Sequence, residues 1–381
     1  MIRREMKSLA TKLWRQYPVV TITGPRQSGK TTLARAAFPK CEYVNLESPD
    51  VRMQIRADAR GFFARHPAPV IFDEIQNAPE LVSYIQVEVD ERHANSMYVL
   101  TGSHQPALRA AISQSLAGRT ALLQLLPLSI GELSGAGMEI SRDQLIFNGF
   151  MPRLYDSGIE PTQLYSDYFQ TYIERDVRQL INLRNLREFE LFVRLLAGRV
   201  GQLLNRDSLA SDVGVSSQTI AEWLSVLEAS YVIYTLRPYY RNVGKRLVKS
   251  PKIYFTDVGL AAYLIGLTSV DQVATHPLVG NLFENMVVMD ALKARTNRGR
   301  GTDLYFMRDY RGLETDLVVE NGVKLDLYEI KSAMSFNPSF ADSLVKLRQS
   351  IDCIGRTKVV YSGDKASLGE VEFVNFASLS L

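Results

Sequence analysis

The chain has 381 residues, 46% of them hydrophobic, and a formal net charge of +3, which suits two to three packed domains and excludes both a disordered chain and a strong global field of either sign. Cys41 and Cys353 lie far apart without histidine or cysteine at ligand spacing, so neither a disulfide framework nor a zinc site is expected, and both thiols are expected to be reduced and packed. The longest apolar runs, such as Ala121 to Leu126, fall well short of the roughly 18 residues of a membrane helix, and the charged N-terminal stretch has no apolar core, so a soluble, cytoplasmic protein without a membrane partner is expected.

Residues 1–18 read as an amphipathic helix with Leu9, Leu13 and Trp14 at helical spacing. Val19 to Thr23 reads as a buried strand of β-branched residues, followed by Gly24-Pro25-Arg26-Gln27-Ser28-Gly29-Lys30-Thr31 and then a helix opening at Thr32. That is a strand, a G-x-x-x-x-G-K-T loop and a helix, the arrangement that brings backbone N–H groups and a cation onto a triphosphate. Residues 24–32 are therefore the candidate ATP-binding residues, with Lys30 on the β and γ oxygens and the Thr31 hydroxyl on Mg²⁺.

Cys41 to Leu46 reads as a second strand, and Pro69 to Phe72 as a third that ends in Asp73-Glu74. A carboxylate pair at the end of a buried strand suits a Mg²⁺ ligand, Asp73, and a base that orients the attacking water, Glu74. Met97 to Leu100 is a further strand ending in Thr101-Gly102-Ser103. In a parallel sheet all such ends share one edge, so Thr101 or Ser103 is a candidate sensor of the γ-phosphate, with a capped turn as the plain alternative. Arg119, before the strand Ala121 to Leu126, is a candidate arginine finger or an ordinary surface arginine.

From about 160 to 204 the pattern is helical, and core packing accounts for Tyr165, Tyr168, Phe169 and Tyr172. Residues 207–229 follow the cadence of a helix, a turn through Gly214, and a second helix capped by Ser216. The strands Tyr231 to Leu236 and Lys252 to Phe255 would form a wing. Between Arg237 and Lys252 lie six cations and no acidic residue, with Tyr239 and Tyr240 interleaved. Arg241, Lys245, Arg246 and Lys249 are the candidate DNA contacts, for duplex or branched DNA, against a packing role for the hairpin.

In the last part, Leu278 to Leu292 reads as a helix that puts Glu284 on an apolar face, an awkward place without a partner. Strand alternation turns Glu329 and Lys331 to one side, and Asp316 stands on the preceding strand. Glu284, Asp316, Glu329 and Lys331 form the constellation of a PD-(D/E)xK nuclease, with Asp316 and Glu329 as metal ligands and Lys331 to activate water or hold phosphate. A salt bridge of Lys331 with a carboxylate, in a fold used for docking, is the rival.

The combination TGPRQSGKTTL, VIFDEIQ, TGS, LAGRTALLQLLPLS, YFQTYIERDVRQL and NVGKRLVKSPKIYFTDVGL resembles a widespread prokaryotic family of AAA-type ATPases with a C-terminal nuclease-like domain. The resemblance implies ATP binding and hydrolysis through Lys30, Thr31, Asp73 and Glu74. It places Arg119, or Arg175 and Arg178 of the Glu174 to Arg178 segment, near the nucleotide or a subunit boundary of a homo-oligomer. The fold class expected is α/β: a P-loop AAA-like ATPase domain at 1–158, a helical and winged-helix domain at 159–268, and a restriction-endonuclease-like α/β domain at 269–381. The function expected is ATP hydrolysis in DNA binding or processing. A nucleotide-switched scaffold with an inactive nuclease-like domain is the alternative.

Overall fold

The computed structural model describes residues 2–103, 111–112, 114–172, 186–239, 249–309 and 312–379. Strand Val19–Gly24 (β1) lies inside a five-stranded parallel sheet with Glu42–Asn45 (β2), Val70–Asp73 (β3), Tyr98–Ser103 (β4) and Thr120–Gln124 (β5), in the order β2-β3-β4-β1-β5. Alternate residues enter two separate cores. Val20, Ile22, Ile71, Val99 and Leu123 pack on helices Met6–Trp14 and Lys30–Ala37, while Val19, Val70, Phe72 and Leu100 pack on helix Leu81–Arg92. Burial on both faces explains why these strands read as nearly continuous apolar runs. The first helix buries Met6 and Ala10 rather than the larger side chains that its spacing singled out; Leu9, Leu13 and Trp14 pack along its flank.

A second, mixed sheet of eight strands has the order β12-β13-β11-β10-β9-β8-β6-β7. Its strands are Ile233–Pro238 (β6), Lys252–Phe255 (β7), Leu304–Arg308 (β8), Glu314–Asn321 (β9), Lys324–Ile330 (β10), Ile354–Tyr361 (β11), Ala366–Leu368 (β12) and Val371–Asn375 (β13). The hairpin expected as a wing is the edge of this sheet, because β6 pairs in parallel with β8 at Arg237–Tyr305 and Pro238–Phe306. The two helices before it, Arg206–Val213 and Ser217–Ala229, meet through Gly214 at φ +83°, and the Ser216 hydroxyl caps the second by accepting from Thr219 N. One apolar core runs from Leu126 to Phe376 and takes in Tyr165, Tyr168, Phe189, Phe192, Met286 and Tyr328, so the helical segment and the second sheet share an interior. Cys353 is exposed, not packed as expected, because it lies in the turn leading into β11; Cys41 is half-buried. Among the described residues no helix is long and apolar enough to cross a membrane. Arg175, Arg178, Arg241, Lys245 and Arg246 lie outside the described residues.

The two sheets are joined through a buried polar knot. Arg4 donates from Nε to Glu132 (2.9 Å) and from its other nitrogens to the carbonyls of Ser28 and Leu126 (2.6 Å each). Glu132 also accepts from the backbone N–H groups of Glu5 and Ser129, closing a capping box on helix Ile130–Gly135. Ile130 N in turn donates to Asp290 (2.7 Å) on helix Val279–Asn297, one turn from Lys293, whose ammonium sits 3.9 Å from the centre of the Phe150 ring.

Burial pushes the Asp290 carboxyl up from 3.8 to about 6, with Lys293 opposing. Between those values the folded chain keeps a proton that the unfolded chain has released, so this group's contribution to stability is full below pH 3.8 and is lost as pH rises to about 6. Asp290→Asn keeps an acceptor for Ile130 N and should flatten that slope by on the order of 3 kcal/mol across the window. Urea denaturation of both proteins at pH 4 and pH 6.5 checks this, and parallel pH dependences would contradict it.

Candidate functional site

At the carboxyl edge of the first sheet, β1 ends in a glycine that no other residue could replace without moving the backbone. A Cβ on Gly24 would sit 2.0 Å from the Leu125 carbonyl oxygen. The loop turns back through Gly29 at φ +88° into helix Lys30–Ala37, whose first N–H groups face the loop. Pro25 and Ser28 are buried; Arg26, Gln27 and Thr32 are exposed, with the Arg26 guanidinium 5.8 Å from the centre of the Tyr172 ring. The Lys30 ammonium is buried and donates to Pro25 O (2.9 Å) and Gly24 O (3.3 Å). Burial lowers its pKa, opposed by the charges of Glu74 and Asp73. Backbone carbonyls are weak partners for a buried cation, so an anion entering the loop gains a charge already in place.

Asp73 closes β3 beside this loop. Its carboxylate accepts from Thr31 Oγ1 (3.0 Å to each oxygen), from the Tyr43 hydroxyl (2.6 Å) and from the Thr101 hydroxyl. Glu74 follows in the left-handed region at φ +58°, its N–H donating to Thr101 Oγ1 (3.2 Å). That turn aims its side chain at Ser103 N (3.4 Å) and at the Gln76 amide, which also donates to Ser103 Oγ (3.1 Å). One sheet edge therefore gathers Lys30, Thr31, Asp73, Glu74, Thr101 and Ser103. The Thr31 hydroxyl and Asp73 carboxylate are hard oxygen donors side by side, a set that fits Mg²⁺ next to phosphate oxygens.

Tyr43 and Gln76 were not singled out in the sequence. Tyr43 becomes visible only through the register of β2 on β3, which pairs Asn45 with Asp73. Arg119 lies at the opposite end of the sheet, where its carbonyl accepts from Val19 N, roughly 16 Å from Gly24 at the rise of a strand. Its guanidinium grips both oxygens of Asp90 (2.6 and 2.8 Å).

The second sheet brings Glu284, Asp316, Glu329 and Lys331 to one cavity of about 630 Å³, and adds Lys252, Arg308 and Glu314. Lys252, at the start of β7, is 4% exposed and therefore leaves the basic run in which its sequence neighbours place it. Its ammonium bridges Glu314 (2.6 Å), Glu284 (2.8 Å) and Asp316 (3.4 Å). Although burial works against that charge, Glu284, Asp316 and Glu314 together raise its pKa. Glu284, the carboxylate that lacked a partner in the sequence, also accepts from the Tyr254 hydroxyl (2.6 Å). Asp316 accepts from Ile330 N (2.8 Å), and Lys331 is paired with Glu329 at 2.6 Å. Burial and then Asp316 push Glu329 up to about 8, and one of its oxygens is buried without a hydrogen-bond partner. Tyr239, expected beside nucleic acid, is buried with its hydroxyl on Glu320 (3.2 Å), while Lys249 is exposed.

Residues 16–134 match the AAA domain family, 140–271 a domain of unknown function (DUF8612), and 279–379 another (DUF4143). An uncharacterized protein of Mycobacterium tuberculosis (strain ATCC 25618 / H37Rv) is 30% identical over 371 residues, covering 95% of this chain and 80% of that protein. An uncharacterized protein of Haemophilus influenzae (strain ATCC 51907 / DSM 11121 / KW20 / Rd) is 22% identical over 393 residues, 93% of each chain. Among solved structures, a Walker-type ATPase of Pyrococcus abyssi aligns with 69% of this chain and 96% of its own at 16% identity and a TM-score of 0.47.

Proposed function

Because the chain belongs to the same family as the mycobacterial relative and its residues 16–134 match the AAA domain family, we propose that it binds and hydrolyses ATP at the carboxyl edge of its first sheet. The observation that carries this is the meeting of the Lys30 ammonium, the Thr31–Asp73 pair and the turned-out Glu74 on one edge. Lys30 exchanges the Pro25 and Gly24 carbonyls for β and γ oxygens, and the N–H groups at the start of helix Lys30–Ala37 hold the phosphates in line. Mg²⁺, when bound, would neutralise the phosphate charge, and Thr31 and Asp73 are the residues that would hold it. Glu74, fixed by Gln76 and Ser103 N, orients the attacking water and receives its proton, while Thr101 and Ser103 keep both carboxylates in register with the γ position.

ATP turnover in the service of DNA is the finer reading, supported by the basic stretch from Arg237 to Lys249 in the sequence. A nucleotide-switched scaffold is favoured by a specific observation, the occupation of the second sheet's carboxylates by Lys252. DNA-stimulated hydrolysis separates the two. Lys30→Ala should weaken ATP binding roughly 10- to 100-fold through the lost charge-assisted contacts. Glu74→Gln should keep binding and lower turnover by about 10²- to 10⁴-fold. Phosphate release and nucleotide binding, measured with and without duplex, single-stranded and branched DNA, check this; undiminished hydrolysis by Glu74→Gln would remove the assignment, and unstimulated wild type would favour the scaffold.

Arg119 lies too far from its own Gly24 to reach the nucleotide there, so its proposed role as an arginine finger is one in trans, on a neighbouring copy in a homo-oligomer, after release from Asp90. Wild-type subunits mixed with increasing Arg119→Ala should then lose activity more steeply than simple dilution. A linear decline would return Arg119 to a surface pair with Asp90.

A further inference from the structure

The PD-(D/E)xK constellation implies a divalent metal, and the donor set at the second sheet does not fit one. Among the described residues no three carboxylate, imidazole or thiolate groups are placed to hold a metal ion. The cause is Lys252. One helix and one strand aim three carboxylates at one point, Glu284 from helix Val279–Asn297 and both Glu314 and Asp316 from β9, and the ammonium from β7 stands at that point. The ammonium donates to Glu284 and Asp316 and is ion-paired with Glu314 at 2.6 Å. The second oxygens of Asp316 and Glu314 are also taken, by Ile330 N and by Arg308 at 3.2 Å, and Tyr254 shares with Lys252 one oxygen of Glu284. Glu329 is paired with Lys331 through one oxygen, and its other oxygen is buried without a hydrogen-bond partner.

We propose that Lys252 is the resident cation of this cleft, holding the place a catalytic metal would take, so that the C-terminal domain works without divalent metal and does not cut DNA. The proposal deepens the scaffold reading of the C-terminal domain and is independent of ATP hydrolysis at the first sheet. It also accounts for the spread of the four partners along the chain, since the ammonium ties β7 of the hairpin to the helix and β9 of the last domain.

The test is Mn²⁺ binding to nucleotide-free full-length protein, followed by the loss of the free-ion electron paramagnetic resonance signal. Wild type and Asp316→Asn should bind the same number of ions, because no site depends on Asp316. Lys252→Met should gain one ion per chain with at least tenfold tighter affinity than any wild-type site, and Asp316→Asn should abolish that gain. Lys252→Met/Glu284→Gln keeps the net charge of the cleft and serves if the single variant does not fold; it too should gain an ion. A wild-type Mn²⁺ site that Asp316→Asn removes, or a folded Lys252 variant that gains none, would overturn the proposal. Phosphate release from ATP by the same preparations reports separately on the first sheet, so failure there is distinguishable.

Discussion

The guanidinium of Arg4 is the contact through which the rest of the molecule is held in register. It is buried, and its donors go to the Glu132 carboxylate, the P-loop carbonyl of Ser28 and the Leu126 carbonyl where the chain leaves β5. A buried charge stripped of water needs all these acceptors, and removing one leaves a penalty of about 3–5 kcal/mol. That requirement fixes the N-terminal helix against the nucleotide loop. Through the capping box of Glu132 and the Ile130–Asp290 bond it also fixes helix Val279–Asn297. Nine residues before Lys293 on that same helix stands Glu284, so one rigid element reaches from the neighbourhood of the P-loop to the carboxylate cleft.

Two clusters of carboxylates at the ends of this connection are treated in opposite ways. Asp73 is surrounded by hydroxyls from Thr31, Tyr43 and Thr101, neutral donors that orient the group and leave its charge uncompensated. Such a set of donors suits the cation proposed for it. Glu284, Glu314 and Asp316 surround an ammonium supplied by the chain itself, and their charge is already answered. The physical distinction between an open and a closed cation site is therefore the identity of the donor at the centre, more than the number of acidic residues nearby.

The nucleotide edge was legible in the sequence because its determinants are local. A run of β-branched residues followed by Gly24 to Thr31, and a buried strand ending in Asp73-Glu74, each carry their meaning within a dozen residues. Parallel pairing then does the remainder by bringing all strand ends to one edge. Lys252 was read with the basic run because its neighbours in sequence are Lys249, Arg246 and Lys245, whereas its partners are 32 and more residues away on other elements. The same separation hid Arg4, 128 residues from Glu132, and the merging of β6 with β8, which turned an expected wing into a sheet edge. Helical aromatics such as Tyr165 and Tyr168 were legible as core because periodicity reports burial directly, without needing to know the partner.

Native-state hydrogen exchange on Arg4→Met, compared with wild type, probes most directly whether one buried guanidinium holds both sites in a single unit. The expected result is faster exchange in three separated stretches at once, the P-loop at residues 24–31, the capped helix at 129–135 and the helix at 279–297, accompanied by roughly tenfold weaker ATP binding from a disordered loop. Faster exchange confined to residues 2–15, with the P-loop, the helix at 279–297 and ATP affinity unchanged, would contradict it.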